Sequence, residues 1–198
     1  SDIQTFIERV PETTMLILDE AYCETGPASA FPPFELERPN ILRMRTFSKA
    51  FGLAGIRVGY VLGCASAIKS FDKIRDHFAV NRIAQAAAIA ALKDQEYLRD
   101  VVEQIHGGRN RIAKIAKQNG LKPIPSATNF VTIDCCHDGA FATSVLNGLI
   151  ERDIFVRKPG APVLDRCIRV SVGVKAQLDK FEIALPDALA AARNAPRQ

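Results

Sequence analysis

The sequence predicts an α/β fold, a mostly parallel sheet followed by a small α+β domain, and three stretches carry that prediction. Met15 to Tyr22, MLILDEAY, is an apolar run that ends in carboxylates. That is the pattern of a buried parallel strand delivering its last side chain to the crevice at the strand carboxyl ends. Thr46 to Tyr60, TFSKAFGLAGIRVGY, joins two strand-like runs, Ile41 to Phe47 and Ile56 to Leu62, through small and polar residues. Cys167 to Val172 alternates with a period of two, Ile168, Val170 and Val172 on one face and Cys167, Arg169 and Ser171 on the other.

Residues 1–75 hold three candidate strands, Met15 to Leu18, Ile41 to Thr46 and Ile56 to Leu62, with a loop rich in Pro, Gly and Ala from Gly26 to Pro39. A parallel sheet covered on both faces needs more strands and helices than these. The stretch therefore reads as the C-terminal part of a larger domain. Helices follow. Ser66 can cap one whose apolar residues Ile68, Phe71, Ile74 and Phe78 recur at spacings of three and four. Residues 76–119 read as a helical connection between domains. Its first helix, Ile83 to Leu92, is nearly all alanine, isoleucine and leucine, suited to burial against the sheet or a partner. Its second runs from Tyr97 to Asn119 and ends at Gly120. Gly107 and Gly108 interrupt it, so the pair predicts either a kink or a close approach of another backbone.

Residues 120–198 read as the small α+β domain. Asn129 to Asp134, Ile154 to Arg157 and Cys167 to Val172 are its strands, and Ala140 to Asp153 a helix with Phe141, Val145 and Leu149 on one side. A last helix starts at Ala176, with Leu178, Phe181, Leu185 and Leu189 inward and Pro186 expected to bend or break it.

Composition narrows the function classes. With 198 residues, 47% of them hydrophobic, the chain has material for real cores. Its longest mostly apolar stretches, near Val61 and Ala86, stop well short of the ~18 residues a membrane helix requires, so no membrane partner is expected. No basic segment followed by an apolar one opens the chain, and no secretory signal is expected. The net charge of +4 comes from 26 basic and 22 acidic residues scattered along the sequence, without the clustered stripe of a nucleic-acid groove. Five cysteines make an odd count with no C-x-x-C, which fits a reducing cytoplasm better than a disulfide framework. The run Cys135-Cys136-His137-Asp138 does not predict a metal site, since neighbours on a strand point to opposite faces. G-x-S-x-G, P-loop and H-E-x-x-H patterns are absent from the sequence, against hydrolase, nucleotide-binding and zinc-protease readings.

The chemistry concentrates around Lys49. Thr46, Ser48, Lys49 and Arg57 fall within twelve residues, with the small Gly52, Ala54 and Gly55 among them, which let backbone approach closely. Two hydroxyls, a planar guanidinium and loop N–H groups suit a phosphate and leave the amine of Lys49 for another task. Upstream, Asp19 needs a cationic partner if it is buried.

DEAY and SKAFGLAGIRVGY together resemble the pyridoxal-phosphate-dependent aminotransferases of fold type I, most closely the histidinol-phosphate aminotransferase group. The resemblance implies that the chain is the later part of a PLP-transferase fold type I protein nearly twice as long. The missing half would carry a Gly-rich turn, a stacking aromatic ring and an asparagine at the cofactor. It implies that Lys49 forms the internal aldimine with pyridoxal 5'-phosphate. Asp19 would face the pyridine nitrogen, Tyr22 the phenolate oxygen, and Thr46, Ser48 and Arg57 the phosphate. CIRVSVG is similar to the family segment whose arginine, here Arg169, forks onto the substrate's anionic group. Arg157 in VRKPG lines the same pocket or is solvated, and Asn129 either matches a family position or makes a backbone contact at a strand start. The implied partners are an amino donor and a 2-oxo acid acceptor, and the implied assembly is a homodimer. Two alternatives share these residues: a lyase or decarboxylase such as threonine-phosphate decarboxylase, and a non-catalytic fragment of the same fold.

Overall fold

The computed structural model describes residues 2–31, 33, 38–76 and 78–194. The chain divides into two compact units, Ser1–Val102 and Glu103–Gln198.

In the first unit a short helix, α1 (Asp2–Arg9), precedes a sheet of strands β1 (Leu16–Asp19), β2 (Ile41–Thr46) and β3 (Gly59–Leu62), in that order. β1 and β2 run parallel, with Leu16 beside Ile41 and Asp19 beside Met44. β3 is antiparallel to β2, with Thr46 opposite Gly59. Asn40 ties the entries of the parallel pair together: its Nδ2 donates to the carbonyls of Pro11 and Thr14 at 3.1 and 2.9 Å, and its carbonyl accepts from Leu16 N at 2.7 Å. Of the expected Gly26 to Pro39 loop, residues 32 and 34–37 lie outside the described residues.

β3 is shorter than the expected Ile56 to Leu62. Ala54–Ile56 winds into a 3-10 turn and Arg57 is left-handed, φ 58° and ψ 55°, so extended backbone resumes only after it. The next helix also differs. α2 (Ala65–Ser70) is capped by Cys64, whose Sγ accepts from Ala67 N at 3.4 Å, not by Ser66. It stops before the predicted apolar stripe is complete, leaving Ile74 and Phe78 82% and 90% exposed. The backbone tightens into a 3-10 turn at Phe71–Lys73, with Ile74 N bonded to Phe71 O at 3.1 Å, and beyond it the Asp76 carboxylate takes the N–H of Phe78 at 2.9 Å, a local bond that a resumed helix could not share.

Helix α3 (Arg82–Lys93) starts from Asn81, whose Oδ1 accepts from Ala84 N at 2.8 Å. Its alanines Ala84 and Ala88 are buried, whereas Ile83, Ile89 and Leu92 are exposed. Small side chains let the helix approach Phe47 and Phe51, and the large ones project on the other side. Helix α4 (Gln95–Gln118) continues through Gly107 and Gly108 without the expected interruption, and the boundary between the units falls within it.

The second unit closes α4's later turns, α5 (Gly139–Ile150) and α6 (Lys175–Asn194) around an antiparallel sheet of β4 (Lys122–Pro123), β5 (Phe130–Asp134) and β6 (Cys167–Ser171). Ile112, Ile133, Leu149, Ile168, Phe181 and Leu185 fill its core. The α4 C-terminus ends as expected at Gly120, φ 75°, where Gly120 N and Leu121 N bond the carbonyls of Lys117 and Ala116. Pro186 does not break α6. It sits on the exposed side, where the carbonyl of Glu182 that it leaves without a helical donor is open to water, while Leu185 and Leu189 hold the helix to the core. Ile154 to Arg157 is no strand: only one bridge forms, Arg157 to Arg169. Asp153 at φ 59° ends regular backbone on one side, and Pro159 lacks an N–H for a ladder on the other. Asn129 does make a backbone contact at the strand start, its carbonyl accepting from Val172 N at 2.9 Å.

Candidate active site

Phe47 and Phe51 decide how Lys49 is presented. Both rings are buried, their centroids 5.0 Å apart, with Phe47 also 5.4 Å from Tyr60, and Ala50 between them is fully buried. Packed against Ala88, they leave the intervening Ser48 and Lys49 half-buried on the outer side. Backbone bonds close the loop, Leu53 N to Phe47 O at 2.9 Å and Gly52 N to Lys49 O at 3.0 Å. Gly52 takes φ 71°, a left-handed turn that glycine enters without steric cost.

Lys49 and Tyr22 meet: Nζ lies 5.1 Å from the centroid of the Tyr22 ring. Among the described residues the amine makes no hydrogen bond or ion pair. Thr46 Oγ1 accepts from Ser48 N at 3.1 Å, so the two hydroxyl residues share one turn. Phe47 N bonds Val58 O at 3.2 Å, one residue from Arg57, whose Nη1 folds back to Ala54 O at 2.7 Å. A non-glycine left-handed residue costs on the order of 1–2 kcal/mol, so the chain carries strain at Arg57. Gly59 is needed opposite Thr46, because a Cβ there would stand 2.7 Å from Arg45 O.

Asp19 ends β1, at the same carboxyl edge of the parallel pair as Thr46. Its Oδ1 accepts from Ala21 N at 3.0 Å, and the residue is exposed, contrary to the buried acid the sequence predicts. The buried acid is its neighbour. Glu20 Oε1 accepts from Arg43 Nε at 2.6 Å and Oε2 from Arg45 Nε at 2.9 Å, and Arg43 Nη1 continues to Pro33 O at 3.0 Å. Burial by itself works against the charge on Arg45, yet its hydrogen bonds to Glu20 and Tyr60 raise its pKa. Because strand side chains alternate, this network occupies one face of the sheet and Asp19 the other. Arg43 and Arg45 are the signal that sequence reading missed: two arginines at a spacing of two, next to an acid on the adjacent strand, announce a paired buried charge. Burial and the hydrogen bond to Glu24 push the thiol of nearby Cys23 up to about 12, which disfavours the thiolate.

In the second unit Arg169 is half-buried, its Cζ 4.8 Å from the centroid of Phe130, so the guanidinium is stacked as well as charged. Arg157 exchanges both backbone bonds with it, Arg157 N to Arg169 O at 3.0 Å and Arg169 N to Arg157 O at 2.6 Å. Directly opposite residues share a face, so two arginines stand side by side, and among the described residues neither has a carboxylate partner.

Residues 1–183 match the family of class I and II aminotransferases. The chain belongs to that family. Among curated relatives, this aminotransferase-family chain is similar to histidinol-phosphate aminotransferase of Geobacillus sp. (strain WCH70), 38% identical over 95% of the chain and 52% of the relative. Among solved structures it is similar to histidinol-phosphate aminotransferase from Sinorhizobium meliloti in complex with pyridoxal-5'-phosphate, TM-score 0.92 at 49% identity, over 96% of this chain and 52% of that one. The likeness to L-threonine-O-3-phosphate decarboxylase from Porphyromonas gingivalis, TM-score 0.76 at 21% identity over 90% of this chain and 56% of that one, is one of fold alone. The chain thus spans about half the length of the relatives it matches. No described helix is long and apolar enough to cross a membrane.

Proposed function

We propose that the whole protein to which this chain belongs is a pyridoxal-phosphate-dependent aminotransferase of the histidinol-phosphate type, moving an amino group from an amino-acid-like donor to a 2-oxo acid, in the cytoplasm and as a homodimer. The observation that carries the reading is the Lys49 amine. It is held on a loop closed by backbone hydrogen bonds, against Tyr22, and among the described residues no acid neutralises it.

The donor set fits the cofactor. Thr46, Ser48 and Arg57 would hold its phosphate, Lys49 its reactive carbon, Tyr22 its ring oxygen and Asp19 its ring nitrogen. Pyridoxal phosphate, when bound, supplies a pyridine ring that accepts the electrons left when an amino acid gives up its α-proton. Asp19 supplies the opposite charge that keeps a ring nitrogen protonated. The Lys49 amine would be the base that takes the donor's α-proton and returns it one position along. Arg169, with Arg157 beside it, receives the donor's anionic end, since a guanidinium is permanently charged and offers parallel donors.

The test is covalent mapping in the full-length protein. Incubation with pyridoxal phosphate and borohydride should fix the cofactor on the peptide bearing Lys49, and Lys49→Ala should abolish both the label and the formation of oxo acid from the amino donor. A label elsewhere, or turnover that survives Lys49→Ala, overturns the assignment. Carbon dioxide release in place of oxo acid would turn the reading to the decarboxylase.

A further inference from the structure

The chain between the two arginines is tied down at both ends. Lys158 follows Arg157 directly, and its ammonium has three acceptors for its three protons: Asp165 Oδ1 at 2.6 Å, Gly139 O at 3.1 Å and Thr143 Oγ1 at 3.1 Å. Asp165 also packs directly on Gly139, leaving no room for a Cβ there. Both ends of the Lys158 to Asp165 strap therefore sit on the first turn of α5, and Pro159 and Pro162 restrict the backbone between them.

This fastening answers a physical need. Like charges directly opposite on a strand pair repel, and Arg157 and Arg169 are such a pair. Phe130 steadies Arg169. Arg157 is exposed, and the bridge it makes extends into no ladder. Two backbone bonds to Arg169 and, on the next residue, the Lys158 tie are what hold its backbone in place.

We infer that Lys158 and Asp165 are positioning residues that hold Arg157 beside Arg169, at the spacing at which the pair receives the donor's anionic end. The inference rests on the proposed anion-holding role of that pair. It concerns the spacing of the arginines and not a contact of Lys158 with the donor.

Steady-state kinetics of the full-length enzyme separate the possibilities, using a phosphate-monoester amino donor and a donor with an uncharged side chain. Lys158→Met should raise KM for the phosphorylated donor about tenfold, the scale of one charge-assisted interaction, leaving kcat and the KM of the uncharged donor unchanged. Lys158→Arg should restore the wild-type KM. Asp165→Asn keeps the cation while weakening the tie, and should raise the same KM. If Asp165→Asn leaves it unchanged while Lys158→Met raises it, Lys158 acts as a charge and positioning is wrong. If Arg169→Ala raises KM but neither tie variant does, the strap has no role. If Arg169→Ala itself has no effect, the anion-site reading falls and the strap's role falls with it.

Discussion

The two units bury their apolar residues very differently. In the second, β5, β6, α4, α5 and α6 enclose one continuous core, with Ile133, Leu149, Ile168 and Leu185 wholly out of contact with water. In the first, Phe47, Phe51 and Ala88 form a small cluster, while Met15 and Ile17 on the β1 strand region stand 53% and 61% exposed and Met44 beside them is also open. Asp19 shares that open face with Ile17 and Met44, by the alternation of the strand and the register of its neighbour. A core that closes on itself is complete within this chain. On the face of the parallel pair that carries Asp19, Leu42 is buried but Ile17 and Met44 beside it stand in water, where α/β architecture ordinarily sets a covering layer.

The contrast predicts an asymmetry in mutational cost, and the largest effect tests it most directly. Phe181→Ala should destabilise the second unit by about 3–5 kcal/mol, because it removes a buried ring and leaves a cavity. Ile17→Ala should change the stability of this chain by less than about 0.5 kcal/mol, as for any exposed position. Denaturant titration of the two variants reads both numbers. Equal losses would mean that the β1 face is covered after all.

Glu20 offers the next largest effect and sharpens the comparison from the other side. The first unit relies on a buried ion network where the second relies on apolar contact. Glu20→Ala leaves Arg43 and Arg45 without their shared carboxylate, and breaking a buried pair from one side costs about 3–5 kcal/mol. Solvent reaches part of Arg45, so the lower figure is expected, on the order of 3 kcal/mol. Hydrogen exchange should quicken along β1 and β2 and stay unchanged along β5 and β6. Faster exchange in both sheets would mean that the units do not hold their stability separately.

What was legible in the sequence follows the same division. β2, β5, β6, α5 and α6 were readable because their periodic apolar residues are the ones the chain itself buries. Leu178, Phe181, Leu185 and Leu189 all point into the core as their spacing predicts. Ile68, Phe71, Ile74 and Phe78 have a helical spacing too, but the α-helix ends at Ser70 and a 3-10 turn follows, where no surface waits to receive Ile74 and Phe78. Around Lys49 the residue types and their order announced the chemistry. They did not announce its support: Phe47 and Phe51 look like ordinary apolar residues in a loop, and only the fold shows them as the anchors that turn Ser48 and Lys49 outward. The choice between Asp19 and Glu20 as the buried acid was equally hidden, because it depends on which face of β1 meets Arg43 and Arg45.

The glycine pair in α4 gives the smallest effect and the finest test of how tightly the second unit is packed. The two positions are adjacent in sequence and differ entirely in surroundings. A Cβ at Gly108 would overlap Val172 Cγ1, whereas at Gly107 nothing lies within 4 Å. Gly107→Ala should therefore stabilise by up to ~1 kcal/mol, the ordinary helical preference for alanine. Gly108→Ala gains the same preference but must displace Val172, and overpacking of a filled core costs about 1–3 kcal/mol, so the net change should be a loss of about 1 kcal/mol. Thermal melts of the two single variants should move in opposite directions. If both rise, Val172 yields easily and the close approach of β6's end to α4 is loose; pairing Gly108→Ala with Val172→Ala should then add nothing. If the contact is tight, that second substitution relieves the overlap and part of the loss returns.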